Sequence, residues 1–175
     1  MVMSRETDDD VRGTRSLLAV LCNPPLGSPE ETTSWRNVEV LTRVLEAGSF
    51  NVVNLIEQPT RSSRDLRELA DSLDLDALAW RVSTAATSAD LVVVGWGTGA
   101  PAGWRKARWS AVVHAAVTGL TQAGHSRVAH VSRVPRHPSR WRQHTSPIHE
   151  RYAGATFEDR LRAALQWSSP EDLLG

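Results

Sequence analysis

Four short apolar runs constrain this chain more than any other feature. Ser16 to Cys22 (SLLAVLC), Asn51 to Ile56 (NVVNLI), Leu91 to Gly95 (LVVVG) and Val128 to Val131 (VAHV) each lie between turn-forming residues. They are too short for buried helices, and their nearly continuous apolar character is what a strand covered on both faces requires. Between them the periodicity changes to that of helices. Trp35, Val38, Leu41, Val44 and Leu45 share one face behind a cap at Thr33 or Ser34, and Gly48 ends that helix. Leu66, Leu69 and Leu73 mark a helix capped by Ser62 or Ser63, and another runs from Leu75 to about Thr84. A long helix spans Arg105 to Gln122, with Trp109, Val112, Val113, Ala116, Val117 and Leu120 on one face and Gly124 at its end. A last helix is expected from Phe157 to Trp167. Strands alternating with helices predict right-handed crossovers and a parallel sheet. The expectation is a single α/β domain over 16–175, a three-layer fold with a short, mainly parallel four-stranded sheet. Residues 1–15 (MVMSRETDDDVRGTR) read as a disordered acidic lead.

The 175 residues suffice for one core without staples. One cysteine, Cys22, excludes an internal disulfide and suits a cytoplasmic setting. It reads as a core residue. No apolar run approaches the roughly 20 residues that cross a bilayer, so no membrane partner is expected. The net charge of zero hides an asymmetry. Residues 1–90 carry 9 basic and 15 acidic side chains, whereas 91–149 carry 8 basic and no acidic ones. Such a segment creates a positive field for an anionic partner, unless acidic residues from elsewhere fold over it.

In open α/β sheets ligands bind beyond the carboxyl ends of the strands. That rule selects Asn23 to Pro29, Asn54 to Arg61, Trp96 to Trp104 and Arg133 to Trp141. Asn23, held by Pro24 and Pro25, suits either positioning a water or closing an Asx-turn. Asn54 is an amide inside an apolar run. It needs partners there, either the edge of a base or a neighbouring loop. Trp96 and Gly97 bring an aromatic and a permissive backbone to a strand tip. Arg136, His137, Ser139, Arg140, Trp141 and Arg142 are the densest group. Guanidinium and hydroxyl groups suit phosphate, and an indole can stack a base; a solvated basic loop is the alternative. His114 and His130 read as core or rim residues. His125, His144 and His149 lack zinc spacing, so no metal and no cofactor is expected.

The ordered set Asn23-Pro24, Val53-Asn54-Leu55, Gly95-Trp96-Gly97 and Arg136-His137-Pro138 resembles a widespread bacterial family of domains of unknown function, over about residues 16–141. The same order is similar to the uracil-DNA glycosylase superfamily. That resemblance implies a sheet order of 2-1-3-4. It implies that Asn23 positions a water and Asn54 reads the base. It further implies that His137 stabilises the departing base anion and Ser139 holds a phosphate. Trp35 or Phe50 would pack on the base, and Arg140 or Trp141 would act as the wedge. Asn23 stands where the most active members carry an aspartate.

Three functions follow as expectations. The first is hydrolysis of an N-glycosidic bond in DNA, a nucleoside or a nucleotide. The second is a module that binds nucleic acid or nucleotide without hydrolysis. The third is an accessory protein that presents Trp104, Trp109, Trp141 and Trp167 to a protein partner.

Overall fold

The computed structural model describes residues 3–6, 15–59 and 65–174. In chain order these form β1 (Met3–Glu6), β2 (Ser16–Leu21), α1 (Thr33–Val44), β3 (Ser49–Asn54), α2 (Leu75–Thr87), β4 (Leu91–Gly95), α3 (Lys106–Gln122), β5 (Val128–Val131), α4 (Trp141–His144), α5 (Phe157–Ala164) and β6 (Leu165–Ser168). One sheet holds all six strands in the order β1-β3-β2-β4-β5-β6. The four expected strands are its parallel centre, with β2 paired to both β3 and β4 and β4 paired to β5. β1 and β6 are antiparallel additions at the two margins. The sheet is therefore mixed and six-stranded, not four-stranded.

Both additions correct the sequence expectation. Met3–Glu6, expected without regular structure, pairs with β3 from Met3↔Val52 to Glu6↔Ser49. The remainder of the lead lies outside the described residues. The expected final helix to Trp167 stops at Ala164, and Leu165–Ser168 turns into a strand along β5. Helical periodicity gives way there to the unpaired backbone of β5, which β6 satisfies. The segment around Leu66 makes only a 3-10 turn over Asp65–Leu69, and its proposed caps Ser62 and Ser63 lie outside the described residues.

Alternation along β2 explains its unbroken apolar run. Leu18 and Val20 face one core with Val92, Val94 and Val128, closed by Leu78 and Val82 of α2 and Val112, Ala116 and Leu120 of α3. Leu17, Ala19 and Leu21 face a second core with Val93, Ala129 and Val131, closed by Val38 and Leu41 of α1 and Leu161 and Ala164 of α5. Three layers result. Each fully buried Leu contributes roughly 1.5–3 kcal/mol relative to exposure. The helices begin on local chemistry. Thr32, one residue earlier than expected, accepts from Trp35 N at 3.1 Å to cap α1. Asp74 caps α2, and Thr156 and Asp159 form a capping box on α5. Gly124, with φ 86°, ends α3.

The tryptophans are mostly core. Trp104 donates to Leu66 O at 2.7 Å and meets Trp109 edge-on at 5.9 Å. Trp104, Trp109 and Trp141 are all buried, and Trp167 is 37% exposed beside Arg127. A protein-facing tryptophan surface built from these four is therefore excluded. Trp141 fails as a stacking platform for the same reason: it is fully buried and its indole donates to Arg136 O at 2.7 Å.

Candidate functional site

Strand register brings the selected loops to one end of the sheet. Leu21 lies beside Asn54 on one side and Gly95 on the other. Ile56 N bonds to Cys22 O and Leu55 N to Leu21 O, each at 2.9 Å, which holds Asn23 next to the exit of β3. Gly97 N donates to Pro135 O at 2.7 Å, which joins the loop after β4 to the loop after β5. Gly95 allows the close approach. A Cβ there would stand 3.0 Å from Pro138 Cδ, 3.2 Å from Leu21 Cδ2 and 3.3 Å from Arg136 O.

The residues after Pro135 are held from the opposite layer. Asn37 of α1, fully buried, donates through Nδ2 to Pro138 O at 2.8 Å and accepts from Arg142 Nε at 3.1 Å. The Arg142 guanidinium lies 4.2 Å over the Phe157 ring. Arg142 is thereby a brace between α1, α4 and α5. β5 delivers this loop through Ser132, whose φ of 74° is left-handed for a residue with a side chain. His130 of β5 is structural: Nδ1–H donates to Ser132 O at 2.6 Å, and Nε2 accepts from the Ser168 hydroxyl at 3.1 Å.

His137 is half-buried, and Nδ1 accepts from the Ser139 backbone N–H at 3.4 Å with the Ser139 hydroxyl 2.9 Å away. Burial, with a smaller contribution from the Arg140 charge, lowers its pKa to about 4. The ring is neutral at pH 7. With Nδ1 as acceptor, its proton sits on Nε2.

His137 lines an open pocket of about 480 Å³. Gly97 and Thr98 form one wall, Arg136 and Arg140 another, and Gln143, His144, His149 and Arg151 close it. Among the described residues no carboxylate lines it. His144 is buried, and its Nε2–H donates to Tyr152 Oη at 3.0 Å while Nδ1 accepts from Arg151 Nη1 at 3.2 Å. Burial first, then the Arg136, Arg151 and His149 charges, lower its pKa. Arg136 Nε is buried and has no hydrogen-bond partner among the described residues. A second cavity of about 320 Å³ shares Gly97 and Thr98 and is lined by Trp96, Trp109, Val113, Leu173 and others.

Of the expected site residues, Arg136, His137 and Arg140 meet in the basic pocket with Gly97, while Trp96 lines its neighbour. Ser139 is turned onto the His137 ring. Asn23 and Asn54 stand at neighbouring strand ends and line neither of these two cavities. The Asn23 amide donates to Pro24 O at 3.2 Å, and Asn54 is 5% exposed. Arg81 of α2 fixes this corner, donating to Asn54 O at 3.0 Å and Leu55 O at 3.2 Å and pairing with Glu57 at 3.0 Å. Trp35 does not face a ligand. It packs edge-on against Phe50 at 4.7 Å inside the core, and neither ring is free to cover a base.

Sequence reasoning missed Asn37, Gln143, His144, His149 and Arg151. Asn37 carried a signal, because it shares the helical face of Leu41 and Val44. The others carried none, because α4 and the 3-10 turn Pro147–His149 fold back on the His137 loop through tertiary contacts. Among the described residues no three His, Cys, Asp or Glu side chains are grouped to hold a metal ion, and no helix is long and apolar enough to cross a membrane. Cys22 is buried and its thiol is pushed up to about 12 by burial.

No curated protein and no solved structure matches the chain. Residues 2–139 match the model of a family described as "Protein of unknown function (DUF1643)", and the chain belongs to that family.

Proposed function

We propose that the chain is a base-recognising N-glycosidase of uracil-DNA-glycosylase-like architecture, acting on DNA, a nucleoside or a nucleotide in the cytoplasm. The observation that carries this reading is His137 at the edge of a basic pocket, its Nδ1 engaged by Ser139 and its pKa held low by burial, with no carboxylate among the described residues that line the pocket. The central strand order β3-β2-β4-β5, which the resemblance implies, supports it. In this reading the resemblance assigns the base edge to Asn54 and the water to Asn23, at the strand ends beside the pocket rather than in its lining. The C1′–N electron pair leaves with the base, and His137 Nε2–H stabilises the developing anion. The water oxygen bonds C1′, and its proton ends on the base or in solvent. Arg136 and Arg140 hold the phosphate.

The test is base release, followed by mass spectrometry, from DNA containing uracil, hypoxanthine or alkylated bases and from the corresponding nucleotides. His137→Ala should lower the rate by about 10²–10³, as loss of one oxyanion donor does. Asn54→Ala should abolish release. Full activity in both variants would sink the assignment. A second reading, binding without hydrolysis, is favoured by Asn23, whose amide faces Pro24 O and which cannot take a proton from water. Salt-dependent binding with no free base distinguishes it.

A further inference from the structure

Past Ser139, where the family match ends, the chain supplies five of the nine residues that line the basic pocket. We infer that this pocket is a binding site for a terminal phosphomonoester, either a nucleoside 5′-monophosphate or the 5′-phosphorylated end of an oligonucleotide. The inference deepens the glycosidase reading in taking Arg136 and Arg140 as phosphate ligands, but it does not need that reading's chemistry, because neither Asn23 nor Asn54 lines the pocket.

Charge is the first reason. Arg136, Arg140 and Arg151 surround one cavity, and among the described residues no carboxylate lines it. Three guanidinium groups around a single cavity exceed what one phosphodiester, with one charge, can neutralise. A phosphomonoester carries about −1.5 to −2 charges at pH 7 and three acceptor oxygens, and guanidinium forks suit such oxygens.

Preparation is the second reason. Arg151 is not a free surface arginine, because one of its N–H groups bonds to His144 Nδ1 and His144 is fixed in turn by Tyr152. This leaves the other side of the Arg151 fork for a ligand. Arg136 lines the same cavity behind the His137 loop, where Trp141 Nε1–H holds its carbonyl at 2.7 Å. Size is the third reason. About 480 Å³ admits a phosphate with its sugar, which a site for a small inorganic anion alone does not require.

Isothermal titration tests the inference with four probes: adenosine, adenosine 5′-monophosphate, and one oligonucleotide with a 5′-hydroxyl or a 5′-phosphate. The phosphorylated member of at least one pair should bind at least about tenfold more tightly than its partner. Arg140→Gln and Arg151→Gln should each weaken only the phosphorylated probe, by about tenfold, with an unchanged unfolding midpoint in Arg140→Gln. Arg140 is exposed, so its variant tests the site even where Arg151→Gln disturbs His144. Preference for the mononucleotide assigns a free nucleotide, and preference for the oligonucleotide assigns a strand end. Equal binding of phosphorylated and hydroxyl probes overturns the inference, as does phosphate discrimination that survives both variants or absence of binding by every phosphorylated probe. Base release is not read here, so the glycosidase proposal stands or falls separately.

Discussion

Asn37 Nδ2 donates to the carbonyl oxygen of Pro138 at 2.8 Å, joining residues 101 positions apart. Its Oδ1 takes the Arg142 Nε–H, so one buried amide is satisfied by two partners of the basic loop. Replacing Asn37 with Ala leaves the Pro138 carbonyl and the Arg142 Nε without it. The expected loss is about 2–3 kcal/mol in urea denaturation, the penalty for stranding buried polar groups. The slope of the transition should not change, because the surface exposed on unfolding is the same.

His137 makes stability depend on pH. Its pKa is near 4 in the fold, against an ordinary value of 6.5. The unfolded chain therefore binds more protons between these values. The neutral ring contributes fully above pH 6.5, and that contribution is lost as pH falls from 6.5 to 4. The effect is on the order of 2–3 kcal/mol. Denaturation curves at pH 7 and pH 4.5 should differ less in His137→Gln than in the parent by that amount.

Cys22 should be inert. Its thiol is enclosed at the end of β2 and pushed up to about 12. Thiolate is the reactive form, so native protein should leave a disulfide reagent unconsumed for hours at pH 8. In denaturant the single cysteine should react completely. Rapid reaction in the native state would contradict the burial.

Gly119 sits where α3 crosses α2. A Cβ there would fall on the Ala79 carbonyl oxygen and stand 3.0 Å from Val82 Cβ. Helix propensity favours Ala over Gly by about 1 kcal/mol. Overpacking against backbone reverses the sign, and Gly119→Ala should destabilise by about 1–3 kcal/mol. Thermal unfolding of the two proteins reads the difference directly.

Much of the layered core could be read in the sequence because its signal is local. β2, β3, β4 and β5 were visible as apolar runs, and α1 and α3 as periodic faces. β6 was not, since Arg162, Ala163, Ala164, Leu165 and Gln166 continue a good helical pattern. What ends α5 is pairing with β5, and no local preference encodes it. Trp141 was misread for a related reason. Flanked by Arg140 and Arg142, it has the neighbours of a surface residue, yet it fills the core between α1 and α5. The His137 loop was legible through its residue types. His144 and Arg151 gained meaning only when α4 placed them against it.

The two antiparallel strands also order events during synthesis. β3 can be covered on its outer edge by β1 as soon as both have left the ribosome, because β1 is made first. β5 has no such neighbour until residues 165–168 emerge. Its outward backbone groups stay open while most of the fold already exists, and an open strand edge invites pairing with other chains. Nascent chains stalled before Leu165 should therefore be the ones that chaperones hold, whereas chains carrying β6 should release.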